Sequence, residues 1–70
     1  MPLTMADSGQ ENVILRITGK DSVRRHLSDM GFVEGEKVTI VSDNGGDMIL
    51  SIKGVRIALD RSMTNRIHVQ

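Results

Sequence analysis

Aliphatic and polar side chains alternate along most of this chain, which is the pattern of strands with one buried face. In the first strong segment, Val13 to Thr18, the predicted buried face carries Val13, Leu15 and Ile17. Gly19 ends this segment. The same period of two returns in four later segments, with aliphatic positions at Val38 and Ile40, at Met48, Leu50 and Ile52, at Val55, Ile57 and Leu59, and at Ile67 and Val69. The pattern therefore predicts five strands.

A helical period lies between the first two predicted strands. Apolar residues recur there at spacings of four and three, which places on one helical face Val23, Leu27 and Met30. Asp21 or Ser22 is predicted to cap the N-terminus with a side-chain oxygen. Gly31 stands where a residue in the left-handed conformation commonly ends a helix. The chain is thus expected to hold one short helix after its first long strand.

A sheet of five strands with one wet face hides its edges best by curling into a small barrel, so the predicted fold class is mainly β. Turn residues separate the strands at 43–47 and at Lys53-Gly54, and residues 60–65 are compatible with a single helical turn. Residues 1–10 are predicted to form either a weak edge strand or a frayed tail. The chain, 1–70, is interpreted as a single domain.

Composition narrows the range of functions. The 70 residues include nine basic and nine acidic side chains, whereas domains that bind phosphates usually carry a basic excess. Phe32 is the only aromatic residue, too few for stacking on bases or for binding proline-rich peptides. The absence of cysteine excludes disulfides and thiolate chemistry. Without an apolar run of the ~20 residues that a membrane span needs, and without a signal-peptide pattern, we expect a soluble cytoplasmic protein.

Candidates for catalysis and metal binding are sparse. The two histidines, His26 and His68, fall on different predicted elements, so no catalytic residue and no enzymatic activity are predicted. His26 and Asp29 share a helical face, where they form a weak candidate site for a divalent transition metal such as iron. The alternative is a solvated helix face with a mild His–Asp contact. No cofactor is expected to be required, and His68 is expected to point outward.

Several segments, in order, carry a family resemblance. They are the opening Leu3-x-Met5 with Gly9, the strand from Val13 to Gly19, the central run Leu27-x-x-Met30-Gly31-Phe32-x-x-Gly35, the strand from Val55 to Leu59, and the closing Ile67-x-Val69. Together they resemble the ferrous iron transport protein A (FeoA) family over the whole chain. The chain departs from the family at Glu34, where proline is frequent. This difference is expected to alter the stiffness of the loop more than the fold.

The resemblance implies an SH3-like barrel and a small cytosolic accessory or regulatory protein of bacterial ferrous iron uptake. The implied partner is the FeoB-type membrane permease, which carries a cytosolic G-protein domain. The same fold occurs as the C-terminal domain of iron- and manganese-dependent repressors, so a stand-alone metal-sensing domain is one alternative. A nucleic-acid-binding SH3-like barrel is another, which the neutral charge opposes. A homodimer through exposed strand edges stays open.

The predicted docking surface comprises the helix and the turn that follows it. The candidate partner-binding residues are Arg24, Arg25, Asp29, Phe32 and Glu34. Arginines on a rigid helix suit contacts to carboxylates, and the alternative is that they serve solubility. For Phe32 the alternative is burial as a plug of the core. Ile14, Val41 and Ile49 lie opposite the predicted buried faces, which indicates either cover from the helix or the N-terminal segment, or an apolar interface.

Overall fold

Five antiparallel strands and two short α-helices make up the structure, a computed structural model that describes residues 1–70. In chain order they are β1 Glu11–Ile17, α1 Asp21–Asp29, β2 Lys37–Asp43, β3 Met48–Ile52, β4 Val55–Leu59, α2 Arg61–Thr64 and β5 Ile67–Val69. The strands follow the order β4-β3-β2-β1-β5. Because β4 and β5 do not pair with each other, the barrel is open along one side. The mainly β class with one helix after the first long strand is confirmed.

The hydrophobic core lies on the inner face of the sheet. Its buried members are Leu3, Ile14, Leu27, Phe32, Val38, Ile40, Met48, Leu50, Ile52, Leu59, Ile67 and Val69. All predicted inward positions of β2, β3 and β5 are among them. On β4 the prediction holds only in part, because this strand forms an edge of the sheet. Leu59 is buried and Ile57 is half-buried, but Val55 is 56% exposed.

The face of β1 is the reverse of the predicted one. Ile14 is only 1% exposed, whereas Leu15, which alternation places inside, is 42% exposed. The pairing register of β1 with β5 shifts between Ile14 and Arg16, as in a β-bulge. Because a bulge adds one residue to a strand, the inward phase passes from Ile14 to Ile17, which packs against the core.

A second register shift lies on β2, between Ile40 and Ser42. Val41 lies within it and is 37% exposed, while Ile49 on the neighbouring β3 is half-buried. Of the three aliphatic residues opposite the predicted buried faces, only Ile14 is therefore fully covered.

Residues 1–10 contain a single β-bridge, between Pro2 and His68, and no regular strand. Leu3–Met5 forms a 3-10 helix, and the Leu3 side chain is fully buried in the core. The Met1 nitrogen donates a hydrogen bond to the Val69 carbonyl at 2.8 Å, and the Val69 N–H donates to the Met1 carbonyl at 2.8 Å. The segment is ordered because Leu3 fills the core and the outer side of β5 supplies backbone partners.

Helix α1 presents the predicted apolar face but begins differently. Leu27 is fully buried, and the apolar positions on either side of it along this face pack against the core. The N-cap residue is Lys20, whose side chain makes no capping hydrogen bond, and Asp21 is already helical. The predicted cap by Asp21 or Ser22 is therefore wrong. Asp21 instead forms an ion pair with Arg24 at 3.3 Å. Neither α1 nor α2 is long and apolar enough to cross a bilayer.

The C-terminus of α1 closes at Gly31, as predicted. Gly31 has a φ of +102°, and its N–H donates to the Ser28 carbonyl at 2.9 Å. The Phe32 N–H donates to the Leu27 carbonyl at 3.0 Å. These paired hydrogen bonds form a Schellman motif, which turns the chain sharply at the helix end. Phe32 consequently enters the core beneath α1.

Candidate docking site

The outer surface of α1 is charged. Arg24, Arg25 and Asp29 are all exposed on it. The Arg24 Nη1 pairs with the Asp21 carboxylate, whereas Arg25 and Asp29 form no ion pair. Because Leu27 anchors the helix in the core, these side chains project from a fixed scaffold.

A groove of about 180 Å³ lies between α1 and the turn that follows it. Its lining residues are Ile17, Arg24, Ser28, Phe32, Val33 and Glu34. Phe32 has no exposed surface and forms the floor, while Arg24 and Glu34 stand exposed at the rim. Pockets for small molecules usually measure about 300–1,000 Å³. The groove is therefore of a size to accept a side chain of a partner protein rather than a cofactor.

The turn that carries Glu34 is pinned to β1. Gly35 adopts a φ of +86°, and its N–H donates to the Ile14 carbonyl at 2.8 Å. The Ile14 N–H donates to the Glu36 carbonyl at 2.9 Å, and the Glu36 N–H donates to the Val33 carbonyl at 3.1 Å. The rim of the groove is thus fixed by backbone hydrogen bonds on the turn side and by core packing on the helix side.

The structure brings three of the five predicted partner-binding residues together at this groove, namely Arg24, Phe32 and Glu34. Arg25 lies beside the groove, in a shallow depression on α1. Asp29 lines neither the groove nor the depression. Phe32 supports the groove from below, since its side chain is fully buried.

Sequence reasoning missed two apolar walls of the groove. Ile17 reaches it only because the bulge in β1 restores the inward phase at that position. Val33 reaches it because the Schellman turn reverses the chain beside α1. The glycine at position 31 signals the turn, but alternation carries no signal for the bulge.

The metal candidates His26 and Asp29 are both exposed on α1. No group of three or more histidine, aspartate or glutamate side chains lies close enough together to hold a metal ion. Closed metal sites in proteins usually take at least three or four protein ligands. A metal held by His26 and Asp29 would need its other ligands from water or from a partner, and such a site stays a prediction.

Two groups elsewhere titrate away from their usual range. Burial lowers the pKa of His68, and the nearby charges of Arg16 and the N-terminal ammonium lower it further. His68 is half-buried on the outer face of β5, with its Nε2 3.4 Å from the Thr18 Oγ1. The hydrogen bond from Arg61 lowers the pKa of Asp43. This 2.7 Å bond ties the end of β2 to α2.

Comparison with known families identifies the chain. The family model of the FeoA domain matches residues 1–70. This chain belongs to the FeoA family. The family resemblance drawn from the sequence is confirmed.

Relatives of this FeoA-family chain agree in sequence and in fold. A Methanocaldococcus jannaschii protein provisionally named Fe(2+) transport protein A is 30% identical over 69 residues, covering 99% of this chain and 84% of its own length. The crystal structure of an iron uptake regulatory protein, FeoA, matches with a TM-score of 0.91 and 28% identity over 100% of this chain and 95% of that one.

A third comparison describes the fold. Stenotrophomonas maltophilia FeoA in complex with zinc matches with a TM-score of 0.89 and 26% identity, over 100% of this chain and 89% of that one. That protein is described as a prokaryotic SH3 domain protein and proposed to be a ferrous iron transport activating factor. The predicted SH3-like fold is thereby confirmed.

Proposed function

We propose that this FeoA-family chain is a cytosolic accessory protein of ferrous iron uptake that docks on the cytosolic part of a FeoB-type permease. We define the α1–turn surface as Arg24, Arg25, Asp29 and Glu34 with the groove among them. One observation carries the proposal. The run Leu27 to Gly35, at the centre of the family resemblance, builds the helix end, the turn and the floor of the groove.

The names of the relatives support the transport role. One is named for Fe(2+) transport, and another is proposed to activate ferrous iron transport. In this role ferrous iron is the cargo of the permease, and docking requires no iron site on this chain. The exposed pair of His26 and Asp29 would become a metal site only with ligands added by the partner.

The geometry of the groove supports a protein partner. An aliphatic side chain that entered the groove would contact Ile17 and Val33, and burial of apolar surface contributes about 25 cal/mol per Å². Arg24 and Glu34 at the rim offer opposite charges, which would fix the orientation of the incoming segment. Arg25 adds a guanidinium that has no ion-pair partner within this chain.

Regulation by docking requires that the permease exist in two states of different affinity for this chain. A bound protein shifts an equilibrium only by the difference between its affinities for the two states. An activator in this system would therefore bind the transporting state more tightly. The nucleotide bound to the G-protein domain of the permease is the natural variable with which to look for such a difference.

Charge reversal on α1 tests the proposal. Arg25→Glu is expected to weaken binding to the cytosolic domain of the permease by about tenfold, because an attraction becomes a repulsion. The matched control is Arg56→Glu on β4, since Arg56 is also exposed and free of ion pairs. The measurement is the dissociation constant of each variant for the cytosolic domain of the permease, obtained by calorimetry. Equal affinities of the two variants would contradict docking through α1.

A further inference from the structure

The bulge in β1 creates an unusual pair of neighbours on the outer face of the sheet. Ile14 points into the core, and Ile17 packs against it again three residues later. The two residues between them, Leu15 and Arg16, are both exposed. A regular strand would send one of them inward, and the extra residue of the bulge removes that requirement. An aliphatic side chain and a guanidinium thus lie side by side in solvent.

Residues of β5 and of the turn before it lie next to β1 at this position. Arg16 lies opposite His68 in the antiparallel pairing of β1 with β5, so their side chains share the outer face. Arg66 lies in the turn before β5 and is exposed, and its Cδ is 3.6 Å from the point that a Cβ on Gly19 would occupy, so its side chain lies beside the end of β1. The Thr18 N–H donates to the Arg66 carbonyl at 2.9 Å. The Thr18 Oγ1 lies 3.4 Å from the His68 Nε2, so Thr18 belongs to the same surface as His68. We define the β1–β5 patch as Leu15, Arg16, Thr18, Arg66 and His68.

The two arginines of the β1–β5 patch form no ion pair within the chain. The four ion pairs of the protein all lie elsewhere and use neither Arg16 nor Arg66. The charges that influence His68 are Arg16 and the N-terminal ammonium, and no carboxylate is among them. In a chain with a net charge of zero, Arg16 and Arg66 are thus two exposed guanidinium groups without an ion pair, and Arg16 directly follows the exposed Leu15.

We infer that the β1–β5 patch is a second interaction surface and that it binds an acidic protein segment carrying an aliphatic residue. Guanidinium groups bind carboxylates with paired hydrogen bonds, and the exposed Leu15 next to Arg16 offers an apolar contact. A nucleic acid fits the patch less well, because the only aromatic residue of the chain is buried in the core and cannot stack on a base. The β1–β5 patch shares no residue with the α1–turn surface. The inference therefore does not depend on whether the α1–turn surface binds the permease.

Titration with a defined probe tests the inference. The probe is the capped peptide Glu-Glu-Leu-Glu-Glu, added up to millimolar concentration at low salt to the isotope-labelled chain, with backbone amide shifts as the readout. We expect the largest shifts at Leu15, Arg16 and His68, and a decrease when salt is raised and charges are screened. The peptide Glu-Glu-Gln-Glu-Glu is expected to bind more weakly, because it lacks the aliphatic side chain.

Two double variants with the same change in charge supply the decisive comparison. Arg16→Glu with Arg66→Glu is expected to weaken peptide binding at least about tenfold. Lys37→Glu with Arg56→Glu should leave the shifts at the patch in place. All four side chains are exposed, and the amide spectrum itself reports whether each variant is folded.

Three results would overturn the inference. One is the absence of shifts at the patch at millimolar peptide. Another is equal binding of Lys-Lys-Leu-Lys-Lys, which would show that charge is irrelevant. The third is tighter binding of inorganic phosphate or of oligouridylate than of the acidic peptide, which would assign the patch to phosphates instead of carboxylates.

Discussion

At Gly31 the chain leaves α1 with a φ of +102°, a region that residues with a Cβ enter only at a cost. A Cβ added there would meet nothing closer than the Lys53 Cδ, at 3.8 Å, so the surrounding space does not exclude a side chain. Backbone conformation alone therefore selects glycine at this position. The consequence reaches the core, since this turn directs Phe32 beneath the helix.

Replacement of this glycine measures the strain. Gly31→Ala is expected to lower the free energy of unfolding by about 1–2 kcal/mol, a large share of the ~3–5 kcal/mol available to a domain of this size. Urea unfolding provides the measurement. The control is Gly46→Ala, because Gly46 has no positive φ and an added Cβ would only touch the Asn44 Oδ1 at 3.8 Å. If both variants unfolded like the parent protein, strain at Gly31 would not be the reason for the glycine.

His68 makes the stability of the fold depend on pH. Its pKa in the folded state lies below the ordinary value of 6.5, so the unfolded chain takes up the proton first as the pH falls. The contribution of His68 to stability is therefore fully present above about pH 6.5 and is lost as the pH falls through the lowered pKa. Burial disfavours the proton most, and the charges of Arg16 and of the N-terminal ammonium add to this effect.

Removal of the imidazole tests this assignment. His68→Gln is expected to lose less stability than the parent protein between about pH 7.5 and pH 5.5, measured by urea unfolding at both values. His26→Gln is the control for the loss of a histidine from an exposed helix position. A His68→Gln protein with an unchanged loss would place the pH dependence elsewhere.

At the scale of the elements, strands differed in how well the sequence predicted them. Met48, Leu50 and Ile52 of β3 alternate strictly, and the structure buries all three. In β1 alternation favours Val13, Leu15 and Ile17 as the buried face, whereas the structure buries Ile14 and exposes Leu15. The backbone of Ile14 accepts a hydrogen bond from the Gly35 N–H and donates one to the Glu36 carbonyl, and these partners are distant in sequence and leave no mark on the pattern.

The residues of the candidate docking site also differ in how well the sequence predicted them. Arg24 and Glu34 could be assigned to one surface from the sequence, because a helix, a glycine stop and a short turn place them side by side. The wall formed by Ile17 could not, since it depends on the bulge. The β1–β5 patch was missed for the same reason, because strict alternation buries the leucine on which it centres.

The hairpin between β3 and β4 offers a prediction at this scale. Lys53 and Gly54 both have positive φ, at 50° and 75°, which is a type I′ turn that favours Asn-Gly. Lys53→Asn is expected to raise the free energy of unfolding by about 0.5 kcal/mol, despite losing an exposed 3.7 Å ion pair with Glu36. Lys53→Gln loses the same ion pair without relieving the turn and should not gain stability. Equal urea midpoints for the two variants would contradict the argument.

In the whole molecule, the open barrel leaves two sheet edges that are treated differently. The N-terminal segment covers β5 through the bridge between Pro2 and His68 and the hydrogen bonds at Met1. The edge strand β4 has no such cover, and the exposed Arg56 is the kind of charge that discourages pairing with another chain. Neither the α1–turn surface nor the β1–β5 patch includes a residue of β4.

The central claim is that the permease is bound by the α1–turn surface. The most direct test is to add the unlabelled cytosolic domain of the FeoB-type permease to the isotope-labelled chain and to map the amide shifts, first with GDP and then with a GTP analogue. We expect the largest changes between Arg24 and Gly35 and a difference in affinity between the two nucleotide states. Amides in this segment that remain unperturbed at saturating permease domain would contradict the account.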